Sequence, residues 1–533
     1  MSRRLFIVAV LTLVAALLLP TLAVAQDEVI LRYPITPDPE HLNPFTATTI
    51  AIGTINRNIY EGLAQIDMET GEALPNLAES WEVSDDKLTY TIHLRHGVLF
   101  HDVEGVVYEN NDREFHADDW VWAAHIANSA DETISQHPEA MEGVVGWEAH
   151  RNGEADTIEG IVAPDDYTIQ VTLEEPNRLF FTAGPGTISV VSPEAYEQLG
   201  EDFNNHPVGT GPFNFVEWLR DDHITLVANN EYWNEGYPKV DGVEFINVPD
   251  ANTELLLYRQ GDLDFLFNMP SGQRAAVKEE FPNDLREMPG LNVRYFGFKM
   301  EQGFFFENPL VRQAFAHAFN RELVWNELME GARFPALLGV LPPSMPASTP
   351  SIIYEYNLDK AAELLAEAGF PNGEGIPEIT LYVFATARDE LSFPVLQQDL
   401  ATLGVTLNIE IEDNSTYWDH IGEDDVIFFL SGWSAGIPDP SDVLNFLFMN
   451  ARDDTAYDNP EVNALLTQAM AEYDPAAREV IYQQAHDLIM ADCPWIVSAY
   501  SKVTWLQQPW IENFNPGGGG TYTAPLSEVT VNK

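Results

Sequence analysis

The sequence predicts an α/β protein built on a mainly parallel sheet, and three features of the chain carry that prediction. The first is a strand–helix–strand unit over 378–411, where an apolar run, an amphipathic helix over 393–403, Gly404 and a second strand over 405–411 follow in order. Parallel strands need a crossover of this kind. The second is the alternation of short strand-like runs with helical periodicity along the rest of the chain. The third is a content of 45% hydrophobic and 11% aromatic residues over 533 positions, enough apolar material for more than one core.

Taken in order, the chain opens with Arg3 and Arg4, an apolar run from Leu5 to Leu19, Pro20 and the step Ala23-Val24-Ala25. A basic start, a short apolar stretch and a small-x-small site mark an export signal. The run falls short of the roughly 20 residues that a membrane-spanning helix needs. Residues 1–25 are therefore expected to be cleaved, leaving a protein that acts in the periplasmic space or outside the cell. Strands are expected over 88–94, with Asp85-Asp86 turning into it, and over 167–173, 223–228 and 242–248. Helices are expected over 309–329, 359–368 and 475–490; Asn308 caps the first of these, with Pro309 at its opening position. A buried strand over 426–433 runs into the loop Ser434-Ala435-Gly436-Ile437-Pro438-Asp439-Pro440. Open α/β sheets place ligands at such carboxyl ends.

The charge excludes several classes of partner. With 84 acids against 26 bases, the formal net charge is −58, and the first 25 residues hold two Arg and no acid. A polyanion is a poor partner for nucleic acid or an anionic membrane. The acids are spread along the chain, as on a solvated surface, and the small number of lysines suits a salty habitat in which screening tames self-repulsion. Cys493, the single cysteine, rules out an internal disulfide framework. It also lies too far from the cleavage site to carry an N-terminal lipid. No H-E-x-x-H, G-x-S-x-G or P-loop is present. His93 and His96, three apart on a strand, face opposite sides; with His101 and His116 they read as packing residues. No catalytic residue, metal or cofactor is expected.

A series of short stretches then fits one pattern. Tyr60-Glu61-Gly62-Leu63 is followed by Pro75-Asn76-Leu77-Ala78-Glu79-Ser80-Trp81, and later by Pro207-Val208-Gly209-Thr210-Gly211-Pro212-Phe213 and Asn230-Glu231-Tyr232-Trp233. The second half holds Asn308-Pro309-Leu310-Val311-Arg312, Leu364-Leu365-Ala366-Glu367-Ala368-Gly369-Phe370, and Gly432-Trp433 leading to Asp439-Pro440. In this order the chain resembles the bacterial dipeptide-, oligopeptide- and nickel-binding proteins, the family 5 solute-binding subunits of ABC importers. The resemblance implies a two-lobed, type II periplasmic-binding-protein-like fold with an extra subdomain in the first lobe. On this chain the first lobe would take 26–69, 178–275 and 491–533, the insert 70–177 and the second lobe 276–490. The protein would be a monomer that captures short peptides or peptide-like solutes and delivers them to an ABC permease in the cytoplasmic membrane. Oligosaccharides, or carboxylated solutes without a free amine, are the alternative ligands; a secreted hydrolase or a sensory binding protein is the alternative class.

The resemblance also implies ligand contacts. Dipeptide-binding relatives carry an Asp three residues past the Trp of the Gly-Trp pair, where it meets the peptide's ammonium. Here that position is Gly436, so the counter-charge is missing. Arg388 follows the strand over 380–384 at about the place where such relatives hold an Arg against the peptide carboxylate, a role that suits the guanidinium fork. Trp433, Ser434 and Trp418 complete the candidate set together with Asp439, which is read mainly as a turn former. A ligand with a carboxylate and a blocked amine is thus expected to bind at least as well as a free peptide.

The acidity makes a prediction of its own. Salt at about 1 M shortens the Debye length to roughly 3 Å, so thermal melts should show a Tm that rises steeply between low and molar NaCl. A flat response would mean that the acids are spaced too far apart to repel one another.

Overall fold

Period-two burial builds the first sheet. Ile30–Ile35 (β1) turns Leu31 and Tyr33 inward, and the chain then enters the helix Ile50–Asn56 (α1), whose cap, Thr49, accepts from the Ile52 N–H. This computed structural model describes residues 28–532 apart from 68–69, 132, 137–139, 271, 301–305, 352–353, 386–389, 424–425, 452–453 and 519–524. The expected signal segment, 1–25, lies outside the described residues.

An antiparallel insert follows. Ala78–Val83 (β2), Thr89–Leu94 (β3), Ile161–Asp165 (β4) and Thr168–Thr172 (β5) pair in the order β2-β3-β5-β4. The turn marked by Asp85-Asp86 joins β2 to β3: Asp86 accepts from the Ser84 hydroxyl and the Leu88 N–H, and Lys87 takes a φ of 64°. Phe213–Leu219 (β6), His223–Ala228 (β7) and Gly242–Asn247 (β8) then complete the first sheet as β1-β8-β7-β6, with β1 parallel to β8. Insert and sheet share one apolar core, in which Trp81 meets Phe181 at 4.5 Å and Tyr90 meets Phe180 at 5.3 Å.

The second lobe is organised by Leu285–Phe298 (β9), Ile379–Phe384 (β10), Leu407–Glu412 (β11), Phe428–Ser434 (β12) and Trp495–Gln507 (β13), in the order β13-β9-β12-β10-β11. β10 runs parallel to both β11 and β12, and Ser392–Thr402 forms the expected crossover helix. The helix expected over 309–329 is broken. Pro309–His317 (α2) ends, and a π-helical turn, Leu323–Leu328, follows. Between them the Asn320 side chain accepts from the Leu323 N–H and starts a new segment. Arg321 turns inward to the carbonyls of Ala316, Tyr354 and Val497.

β9 and β13 pair with each other and serve both lobes. Val293, Phe296, Trp495 and Tyr500 lie in the second-lobe core, whereas Met288, Val503 and Trp505 pack on the first. Their register shifts between Pro289 and Val293, where Pro289 has no N–H to donate. The chain therefore passes between lobes near 289–293 and 501–503, not at the 275 and 491 expected from sequence. A crossing inside continuous strands leaves no polar linker for composition to mark.

The loop after β12 is anchored by a buried ion pair. Asp439 caps Pro440–Phe448 (α3) by accepting from the Ser441 N–H and hydroxyl. Its two oxygens also receive Arg478, on Pro475–Asp492 (α4), at 2.5 and 2.9 Å. Burial pushes the Asp439 carboxyl up, but the bonds and charge of Arg478 outweigh it and hold the group below the usual range. Arg478→Ala leaves that carboxylate buried and unpaired, so denaturant unfolding should show a loss of about 3–5 kcal/mol. A loss below about 1 kcal/mol would show that the pair is dispensable.

Candidate functional site

Three neutral donors converge on Asp442. Its Oδ1 accepts from Trp433 Nε1 at 2.8 Å, and its Oδ2 accepts from the N–H groups of Gly436 at 2.9 Å and Ile437 at 3.2 Å. Asp442 is the third residue of α3, from which a side chain reaches back over the helix start, as in a capping box. A Cβ built on Gly436 would stand 3.6 Å from Asp442 Oδ2. The following helix thus brings a carboxylate, six residues later in the chain, beside Gly436. Burial raises the Asp442 carboxyl despite its three donors, and among the described residues no Lys or Arg forms an ion pair with it.

Asp442, Gly436 and Ile437 edge a cavity of about 730 Å³ whose remaining walls come from the first lobe and the C-terminal segment. That volume falls within the usual range for small-ligand sites. Glu61 lies in the first-lobe wall. It accepts from the Tyr232 hydroxyl at 2.8 Å, from Trp233 Nε1 at 3.1 and 3.2 Å, and from the Thr210 hydroxyl at 2.9 Å. Thr210 reaches it because Gly209 and Gly211 pass against the Ile59 carbonyl, where a Cβ at either position would collide. Three of the short stretches that carry the family resemblance therefore meet on one carboxyl. Burial pushes Glu61 up to about 7, more than its donors pull it down.

Only part of the candidate ligand set lines this cavity. Gly436 does. Trp433 stands behind Asp442, stacked on Phe446 at 4.5 Å. Ser434 is exposed at the end of β12, opposite Asn292. Trp418 is half exposed beside Phe384, at 5.7 Å between rings, and does not border the cavity. Asp439 spends both oxygens on Arg478 and Ser441, which takes it out of the ligand set. Arg388 lies outside the described residues. Asp442, Glu61, Asn56 and Arg57, all outside the candidate set, also lie in the wall. For Asp442 a signal existed: it falls three residues after a helix cap. His96 and His116 both pack on Tyr167, at 3.7 and 5.5 Å between rings, and His101 is bonded to the Gly211 carbonyl.

Two lobes with an insert and a cleft between them define a recognisable class, and residues 72–455 match the model for bacterial extracellular solute-binding proteins, family 5 Middle. The chain belongs to that family. It is 31% identical over 510 residues to the glutathione-binding protein GsiB of Escherichia coli O1:K1 / APEC, covering 92% of this chain and 93% of that protein. Its fold matches the unliganded open form of the periplasmic murein tripeptide-binding protein MppA with a TM-score of 0.82 at 21% identity, over 95% of this chain and 98% of that one. The periplasmic binding protein DppA from Helicobacter pylori, in complex with the peptide STSA, matches with a TM-score of 0.69 at 27% identity, over 95% and 99%. As a family 5 protein, the chain is the solute-binding subunit of an ABC importer and works with a membrane permease. Among the described residues no helix is long and apolar enough to cross a membrane.

The Glu61 cluster sets a pH dependence. The folded carboxyl titrates near 7 against an ordinary value of 4.5, so the folded state binds the proton more readily and stability from this group falls as pH rises between those values. Glu61→Gln keeps the shape and removes the titration. Its unfolding free energy relative to wild type should be highest above pH 7 and should decline toward pH 4.5, spanning about 2–4 kcal/mol. A pH-independent difference would place the titration elsewhere.

Proposed function

We propose that the chain captures short peptides or peptide-like solutes by their free amine and passes them on unchanged. Export through a cleaved 1–25 segment, without an N-terminal lipid, belongs to the same reading. Asp442 carries it. This carboxylate stands at the cavity edge with three neutral donors, and an arriving ammonium would supply the charge that burial leaves uncompensated. The described lining residues hold three acids, Glu61, Asp442 and Glu528, against one base, Arg57. That balance favours an amine-bearing ligand over a carboxylated solute without one, and it reverses the preference expected from Gly436 alone. Relatives add support: one is named for glutathione, a tripeptide with a free amine, and a structural neighbour is a complex with a peptide.

Calorimetry with glutathione, trialanine and their N-acetyl counterparts tests the reading. Wild type should prefer the free amines. Asp442→Asn should cost them about 2–5 kcal/mol and leave the acetylated forms nearly unchanged. Because the Asp442 carboxyl is raised, its charge and the affinity for free amines should be lost on acidification at a higher pH than for an ordinary Asp. Equal wild-type affinity for free and acetylated ligands would sink the proposal.

A further inference from the structure

The first-lobe wall contains a polar group that the fold leaves unmet. Asn56, the last residue of α1, is 5% exposed and borders the cavity, yet neither its Nδ2 nor its Oδ1 has a hydrogen-bond partner. Nearby side chains are satisfied. The Thr54 hydroxyl donates to the Ile50 carbonyl, and the Asn58 amide donates to the Thr54 carbonyl and accepts from the Leu526 N–H. A carboxamide offers two donors and an acceptor, and leaving it buried and unpaired is costly. Buried polar groups are nearly always paired, so an orphan in a cavity wall points to a partner that arrives from outside. That partner must itself both donate and accept, as a peptide group does.

Arg57, the next residue, borders the same cavity and is the one Lys or Arg among its described lining residues. A guanidinium is suited to a carboxylate, which it can hold by two parallel bonds. Asp442 sits on the opposite lobe, so an ammonium held there and a carboxylate held at Arg57 would draw the two lobes onto one zwitterionic ligand.

Resting on the peptide reading above, we propose that Asn56 and Arg57 form a first-lobe subsite in which the Asn56 carboxamide bonds the ligand's peptide group and Arg57 binds its C-terminal carboxylate.

Two variants of the full chain test this with trialanine and trialanine C-terminal amide as probes. A structural Asn loses stability when it is replaced, whereas an unmet Asn kept for a ligand gives it back. Asn56→Leu, of similar volume, should therefore raise the ligand-free melting temperature while weakening trialanine about tenfold, the equivalent of one lost hydrogen bond. Arg57→Gln should abolish a wild-type preference for trialanine over its amide. A lowered ligand-free melting temperature in Asn56→Leu, or unchanged binding by both variants, overturns the subsite and leaves the peptide reading standing. Failure of wild type to bind either probe overturns both.

Discussion

A carboxylate taken out of water has to be met by a cation or by several hydrogen-bond donors, since its desolvation otherwise costs several kcal/mol. Asp439 and Asp442 lie one helical turn apart at the start of α3 and meet that demand in different ways. Asp439 receives Arg478 in a two-pronged pair and is spent on structure. Asp442 receives only N–H groups, from Trp433, Gly436 and Ile437, and no cation pairs with it among the described residues. The first fixes the loop so that the second can be held at the cavity edge with its charge uncompensated.

The first lobe follows the same logic. Glu61 is surrounded by the hydroxyls of Tyr232 and Thr210 and the indole of Trp233, all neutral. Those donors fix its position without cancelling its charge, and burial leaves it balanced near neutral pH. Holding it requires the close passage of Gly209 and Gly211 against Ile59, so the backbone there tolerates no side chain. β9 and β13 connect this wall to the second lobe as a continuous antiparallel pair interrupted at Pro289. A hinge made of paired strands can flex while keeping the register of both walls.

Regular elements were legible wherever periodicity and punctuation agreed. The strand over 223–228 appears as β7, and the unit over 378–411 as β10, its helix and β11, because Gly404 marks the turn and β-branched residues mark the strands. The helix over 309–329 failed at Asn320, whose side chain competes with the helical backbone, a local bond that apolar spacing does not reveal. The lobe crossings were misplaced because strands that run through both cores look like ordinary strands. At the site, Gly436 was rightly seen to lack an anion, but Asp442 is brought beside it only when α3 folds back over the loop.

By itself the sequence determined the fold class, the family and the acidic, single-cysteine character of the chain, since these rest on composition, local periodicity and the order of short stretches. Which carboxyl would be paired with a cation and which met only by neutral donors was decided only in the tertiary structure. Asp439 and Asp442 are the same residue type in the same turn, and Arg478, which separates their fates, is 39 positions from Asp439 along the chain. Likewise Tyr60-Glu61-Gly62-Leu63 carries no sign that Thr210, Tyr232 and Trp233 will close around it. Desolvation and pairing are set by distance in space, and residues far apart in sequence acquire that distance only when the cores of the two lobes are packed.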